Sequence, residues 1–289
     1  MAHALQTVRR WHDVTPAVFA QEIAPQYQPA VLCGVVRHWP AVQLALQSDH
    51  AVCHYLHALD SGKPVEAIMT PPQERGRIFY NSTQTGFNFL RNQVPLTKVM
   101  EQVLRYAQFD TPPAVAVQSA WVPDCLPGLH ATHHLPVLPP TVQARIWLGN
   151  RITTPAHIDG SDNIACVVSG KRRFTLFPPA QYRNLYLGPL DLTPTGSPIS
   201  LVDFDQPDWE RFPLFAQALE SALVADLEPG DAIYIPTLWW HHVRSLSPLN
   251  ILLNYWWQAD PAQAQFASVF DALLHKLQVA DTPATPSSP

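Results

Sequence analysis

Hydrophobic and polar positions fall into two regimes along the chain. In "LTKVMEQVLRYA" (Leu96 to Ala107), Leu96, Val99, Met100, Val103 and Leu104 recur at steps of one helical turn, which predicts an amphipathic helix. Residues 14–28 predict another, with Thr15 as cap, Pro16 at the first position and "AVFAQEI" following. "HWPAVQLAL" and "AVCHYLHAL" are further helical stretches, and "PAVLCGVV" (Pro29 to Val36) is a short buried strand. "PVEAIM" and "GRIFYN" predict strands split by the turn-rich "TPPQERG".

From Ala114 the period shortens. "AVAVQSAWV", "ARIWLG", "AHI", "NIACVVSG", "RRFTLFP", "DAIYIP", "HHVRSL" and "NILLNYWW" are short β-rich runs punctuated by Pro and Gly. That rhythm predicts an antiparallel barrel or jelly roll. After it, Phe266, Val269, Phe270, Leu273, Leu274 and Leu277 return to helical spacing. A helix over about 261–278 must cover its apolar stripe on its own body or on a second copy, so a homodimer is expected. Residues 1–279 read as one domain with a β core at about 114–258, and 280–289 as a disordered tail.

Composition narrows the picture. Hydrophobic residues make up 47% and charged residues 14%, as in a folded chain, and 30 prolines argue against a helical bundle. A net charge of −5 argues against general nucleic-acid binding. No apolar run has the length of a signal core or a membrane span, so the expectation is a cytoplasmic protein without a membrane partner. Cys33, Cys53, Cys125 and Cys166 form no C-x-x-C pair and are expected as reduced thiols, not zinc ligands.

The candidate chemistry lies in the β-rich part. "TTPAHIDGSDN" places His157 and Asp159 two apart, which in a strand turns an imidazole and a carboxylate to one face. Alone, H-x-D is a weak signal. Downstream, "EPGDAIYIPTLWWHHV" supplies His241 and His242. Two histidines and one carboxylate are the facial triad that holds non-haem Fe(II) with open positions, whereas a closed zinc site takes four protein ligands. If "WWHHVRS" is extended, His241 shares the less polar face with Trp239 and Val243. His242 shares the other with Arg244, so His241 is the candidate ligand and His242 a neighbouring or surface group. "HATHH" (His130, His133, His134) sits in a Pro-rich stretch and reads as a surface loop or pocket rim.

"TPAHIDGSDNIACVVSGKRRFTLFPPAQY" together with "PGDAIYIPTLWWHHVRSL" and "NILLNYWW" resembles the JmjC/cupin-like oxygenases, most of all their asparaginyl hydroxylases and bacterial cupin-like members. "PAVLCGVVRHWPA" and "VDFDQPDWERFPLF" (Val202 to Phe215) extend the likeness over roughly residues 10–258. The resemblance implies a mainly β double-stranded β-helix of the jelly-roll type, with an N-terminal α/β extension and a C-terminal helix. It also implies Fe(II), 2-oxoglutarate as co-substrate, O2, and hydroxylation of a substrate C–H bond. By position the metal ligands are His157, Asp159 and His241. Arg172, where a lysine is usual, takes the far carboxylate of 2-oxoglutarate, with Lys171 or Arg173 as the alternative. Thr154 matches a hydroxyl holding the same carboxylate, and Asn163 and Asn254 match polar residues of the pocket. Tyr80, Gln118 and Trp256 are the substrate-side candidates. Ala116 stands where some relatives place a tyrosine.

"TPTGSPISL" lacks the Arg-Gln pair that grips the substrate asparagine in an asparaginyl hydroxylase of the family, so a protein side chain, a peptide, a modified tRNA base or a small molecule remains open as substrate. The competing reading is a non-oxygenase metal-binding cupin, an isomerase or a small-molecule binding protein, because the fold alone does not decide the chemistry.

Overall fold

A computed structural model describes residues 5–194 and 196–258. The expected C-terminal helix and the dimer built on it lie outside those residues, as does the tail. The strands are β1 (Gln6–Thr7), β2 (Arg9–Trp11), β3 (Ala30–Leu32), β4 (Pro64–Thr70), β5 (Leu90–Pro95), β6 (Ala114–Trp121) and β7 (Ala144–Gly149). They continue with β8 (Thr153–His157), β9 (Asp162–Ser169), β10 (Arg172–Phe177), β11 (Leu223–Leu227), β12 (Ala232–Ile235), β13 (Trp240–Ser245) and β14 (Asn250–Trp257). One sheet has five strands in the order β1-β11-β10-β13-β8. The other has nine, in the order β2-β3-β12-β9-β14-β7-β6-β4-β5. This is the jelly-roll double-stranded β-helix, and strands of the N-terminal extension are woven into its larger sheet.

Three apolar layers follow. Between the sheets pack Val31, Ala165, Val167, Phe174, Leu176, Ile233, Ile235 and Leu252. On the far face of the larger sheet, Ile164, Cys166, Val168, Ile251, Leu253 and Tyr255 meet the helices Pro40–Ala45, Asp49–Leu59 and Leu96–Tyr106. The far face of the smaller sheet is covered by Leu185, Val202, Phe212, Phe215 and Ala218, which pack on Phe177 and Trp240. Central strands are therefore buried on both faces, which explains why β9 reads as an unbroken apolar run instead of an alternating one. All four cysteines are free thiols. Among the described residues no helix is long and apolar enough to cross a membrane.

Two expectations are corrected. "GRIFYN" is not a strand: it makes only the isolated bridges Arg77 to Thr153 and Tyr80 to Phe87. Arg75 and Gly76 take positive φ angles of 49° and 75°, and that turn breaks extension before it starts. The helix expected at 14–28 is a single turn at Pro16–Val18, then a wider π turn at Phe19–Ile23 and a 3-10 turn at Ala24–Gln26. The wide turn buries both Phe19 and Ile23, and left-handed Tyr27 ends the segment. The sequence reading passed over β11, "LVADL", because Asp226 interrupts its apolar run; that carboxylate points outward to Arg173.

The tight link between β9 and β10 sets the orientation of everything after it. Gly170 has φ of 75°, and a Cβ there would stand 2.3 Å from the Leu249 carbonyl oxygen. Gly170→Ala should lower stability by about 2 kcal/mol or more, read as a drop in Tm. An unchanged Tm would contradict this turn geometry.

Candidate metal centre

His157 ends β8 and is paired directly with His241 on β13. The next matched pair is Thr154 with Val243, so β8 runs one residue longer than its partner over this step. The surplus is a bulge at Pro155–Ala156, where proline has no N–H to give to a ladder. The bulge changes the facing rule. Thr154 and His157, three apart, would point to opposite sides of a regular strand, yet both line one cavity.

Each imidazole is locked by its own chain. His157 Nδ1 bonds the Pro155 carbonyl oxygen at 2.9 Å, and His241 Nδ1 bonds that of Trp239 at 3.0 Å. A carbonyl only accepts, so the proton sits on Nδ1 and the Nε2 lone pair is left for a cation. The rings lie 4.0 Å apart, centroid to centroid. Burial, reinforced by the His157 ring and opposed by Asp159, pushes His241 down to about 4, so it is neutral at physiological pH.

Asp159 is not in a strand. It lies past the end of β8, in the connection to β9, where its carbonyl accepts from the Leu238 N–H at 3.0 Å. Strand alternation therefore does not explain its placement. Its side chain is aimed by donors: Oδ2 accepts from Trp256 Nε1 at 3.0 Å and Asn163 Nδ2 at 3.3 Å, and stands 3.5 Å from His241 Nε2. One ligand atom each from His157, Asp159 and His241 lies within 4.8 Å of the others, and no second such group occurs among the described residues. Two imidazoles whose Nδ1 atoms are held by backbone carbonyls, with one carboxylate, fit a divalent transition metal and leave coordination positions open.

The triad opens into a cavity between the sheets. Its apolar wall comes from Ala165, Phe174, Ile235, Val243 and Leu252, and its polar groups from Thr154, Asn163, Asn254 and Arg172. Arg172 is 8% exposed, and its Nε is buried without a partner. Burial alone pushes this guanidinium down to about 10. Lys171 is excluded from the cavity: its ammonium is exposed and pairs with Glu228 at 2.6 Å. Arg173 also turns outward, gripping both oxygens of Asp226 at 2.7 Å. A strand sends neighbours to opposite faces, so only the middle residue of "KRR" can point inward.

Several other candidates lie elsewhere. Tyr80 is not among the cavity residues; its hydroxyl donates to the Leu192 carbonyl at 2.7 Å, beneath a loop, because its segment is not a strand. Gln118 is also outside the cavity lining, at a bulge of β6 next to left-handed Ser119, although its Nε2 is buried without a partner. His242 is not at the surface. It is 5% exposed, stacks 4.6 Å from the Phe204 ring, and is pushed down to about 3, chiefly by burial. Arg244 on the same face pairs with Asp205. In "HATHH", His133 is a buried structural group whose Nε2 accepts from the Ala41 N–H.

Sequence reasoning missed Trp147, which lines the cavity and donates from Nε1 to Asn254 Oδ1 at 2.8 Å. Its inward alternation on β7 was the available signal.

The two adjacent histidines thus part company. His241→Ala should lose about one metal equivalent per chain in elemental analysis after loading with Fe(II) or Mn(II). His242→Ala should keep the metal and lower Tm through the lost contact with Phe204. The reverse outcome would contradict the strand facing described above.

Comparison with known proteins bears on this arrangement. The cupin-like domain model matches residues 16–263. Jumonji C domain-containing protein 5 of Drosophila melanogaster is 28% identical over 246 residues, covering 80% of this chain and 55% of that protein. The human bifunctional peptidase and (3S)-lysyl hydroxylase JMJD7 is 26% identical over 277 residues, covering 85% of this chain and 82% of that one. The tRNA wybutosine-synthesizing protein 5 of Gallus gallus is 36% identical over 107 residues, covering 37% and 30%. The chain spans about half the length of several curated relatives it matches, the Drosophila protein among them. A family match across most of the chain coincides with a double-stranded β-helix whose inner face gathers two histidines and an aspartate, and the chain belongs to the JmjC/cupin-like family.

Proposed function

We propose that the chain is an Fe(II)- and 2-oxoglutarate-dependent dioxygenase that hydroxylates a side chain of a protein or peptide, or a comparable substrate. One observation carries the reading: a buried guanidinium, Arg172, shares a cavity with the His157, Asp159, His241 triad, and among the described residues no ion pair includes it. Burying an unpaired cation is costly unless an anionic ligand completes it. A co-substrate with one carboxylate for Arg172 and a chelating end for a metal fits that requirement. Relatives that include a lysyl hydroxylase and a wybutosine-synthesizing protein support a hydroxylase-type chemistry.

His157, Asp159 and His241 would hold the iron, and Arg172 with Thr154 would hold the far carboxylate. When bound, iron and 2-oxoglutarate together supply oxidative decarboxylation coupled to insertion of one oxygen atom of O2 into a C–H bond. The protein's part is placement. The backbone carbonyls of Pro155 and Trp239 fix the imidazole tautomers. Trp256 and Asn163 donate to Asp159 Oδ2 and hold the carboxylate in place beside His241. Asn254, held by Trp147, and the apolar wall keep bulk water away from the reacting centre. A guanidinium in place of the usual lysine grips a carboxylate in a fork, which restricts its rotation as well as its position.

Binding and turnover test the proposal separately. Under anaerobic conditions with Fe(II), 2-oxoglutarate should bind the wild-type chain, and Arg172→Gln should weaken binding about 10- to 100-fold while metal content is unchanged. In air, Asp159→Ala should abolish release of succinate. No binding at millimolar 2-oxoglutarate, or turnover that does not depend on O2, would favour a non-oxygenase cupin instead.

A further inference from the structure

Arg145 on β7 stands two residues before Trp147, and a strand turns such a pair to one face. Trp147 lines the metal cavity. On β14, Arg145 is in register with Asn254, another cavity residue. On β6 it is in register with Trp121. Its guanidinium lies 5.1 Å from the Trp121 ring centroid and 5.7 Å from that of Trp256. Trp256 lines the cavity and donates to Asp159, so one indole separates this cation from a metal-binding carboxylate. Neither Arg145 nor Trp121, which is 38% exposed, lines the cavity itself; Arg145 reaches it only past the Trp256 ring, at its outer edge.

Arg145 is half-buried. Its Nη1 donates to the Ser119 carbonyl at 3.0 Å, at the bulge of β6. No ion pair among the described residues includes it. A guanidinium has five N–H donors in a rigid plane; Arg145 gives one to Ser119, and contact with the two indoles leaves the others available. The flanking indoles also displace water, which strengthens any charge pair formed there.

The geometry points to Arg145 as a specificity-determining residue that grips a carboxylate of the substrate at the cavity rim. The inference rests on the dioxygenase reading and names its substrate class: a molecule bearing a carboxylate near the reacting carbon, either as an acidic peptide side chain or as a free carboxylic acid. A carboxylate is favoured over a nucleic-acid phosphate backbone on two grounds. The described contacts place one cation over these indoles, not a row of them. The chain as a whole carries a net charge of −5, which repels a polyanion. The 2-oxoglutarate carboxylate has its own cation in buried Arg172.

The test uses the full chain with Mn(II) in place of iron, to prevent turnover, and with saturating 2-oxoglutarate. Calorimetry compares the peptide Ac-Ala-Glu-Ala-NH2 with Ac-Ala-Gln-Ala-NH2, and N-acetylglutamate with its diamide. The wild-type chain should bind the carboxylate member of at least one pair about tenfold more tightly. Arg145→Gln should erase that preference, and Arg145→Lys should retain part of it. Preference in the peptide pair alone identifies a protein substrate; preference in the free-acid pair alone identifies a small one. If Arg145 merely stiffened Trp256, its loss would weaken both members of a pair equally. That result, no preference in the wild type, or a preference that survives Arg145→Gln would overturn the inference. A separate titration with 2-oxoglutarate should be the same for the wild type and both variants, which shows them folded. Failure of the wild type in that titration counts against the dioxygenase reading, while the carboxylate comparison still decides the role of Arg145.

Discussion

The bulge at Pro155–Ala156 is the constraint on which the centre depends. Without the extra residue, Thr154 would face away from the cavity that His157 faces. With it, His157 is paired with His241 while the strand beyond stays in register through Thr154 and Val243. The carbonyl freed in the bulge is the same one that holds His157 Nδ1. A local defect in the ladder thus supplies both the direction of the imidazole and the hydrogen bond that selects its tautomer.

That arrangement is affordable only because both sheets are covered. The outer face of β13 presents Trp240 and His242, and the segment from Leu185 to Ala222 lays Phe204, Phe212 and Phe215 against that face. His242 is therefore neutral and buried, and it supports the strand from behind while His241 points in. Charge follows the same logic. The cavity itself offers one carboxylate, Asp159, and one guanidinium, Arg172. A divalent cation and a doubly charged co-substrate would bring opposite and equal charge, so occupancy as proposed leaves the interior balanced.

Much of this was legible in the sequence. The short β-rich runs from Ala114 onward coincide closely with β6 to β10 and β12 to β14, because Pro and Gly mark their ends chemically. The preference for His241 over His242 followed from alternation, which holds on β13 against β10. The inward turn of Arg172 follows from the same rule. Other features depended on tertiary structure. Asp159 is aimed by Trp256 and Asn163, residues far apart or in a different strand, and no local period encodes that. The position of Tyr80 was not legible, because the positive φ angles at Arg75 and Gly76 break a segment whose composition reads as strand. The surface reading of His242 fails because a polar face next to Arg244 resembles a solvent face until Phe204 covers it.

The central claim is that one metal ion is held by His157, Asp159 and His241 and by no other histidine. Anomalous diffraction from crystals soaked in Mn(II) locates the ion directly. A single strong peak is expected at coordination distance, about 2.0–2.2 Å, from the Nε2 atoms of His157 and His241 and a carboxylate oxygen of Asp159. A peak at His242, at the His130, His133 and His134 stretch, or no peak between the paired imidazoles would contradict it.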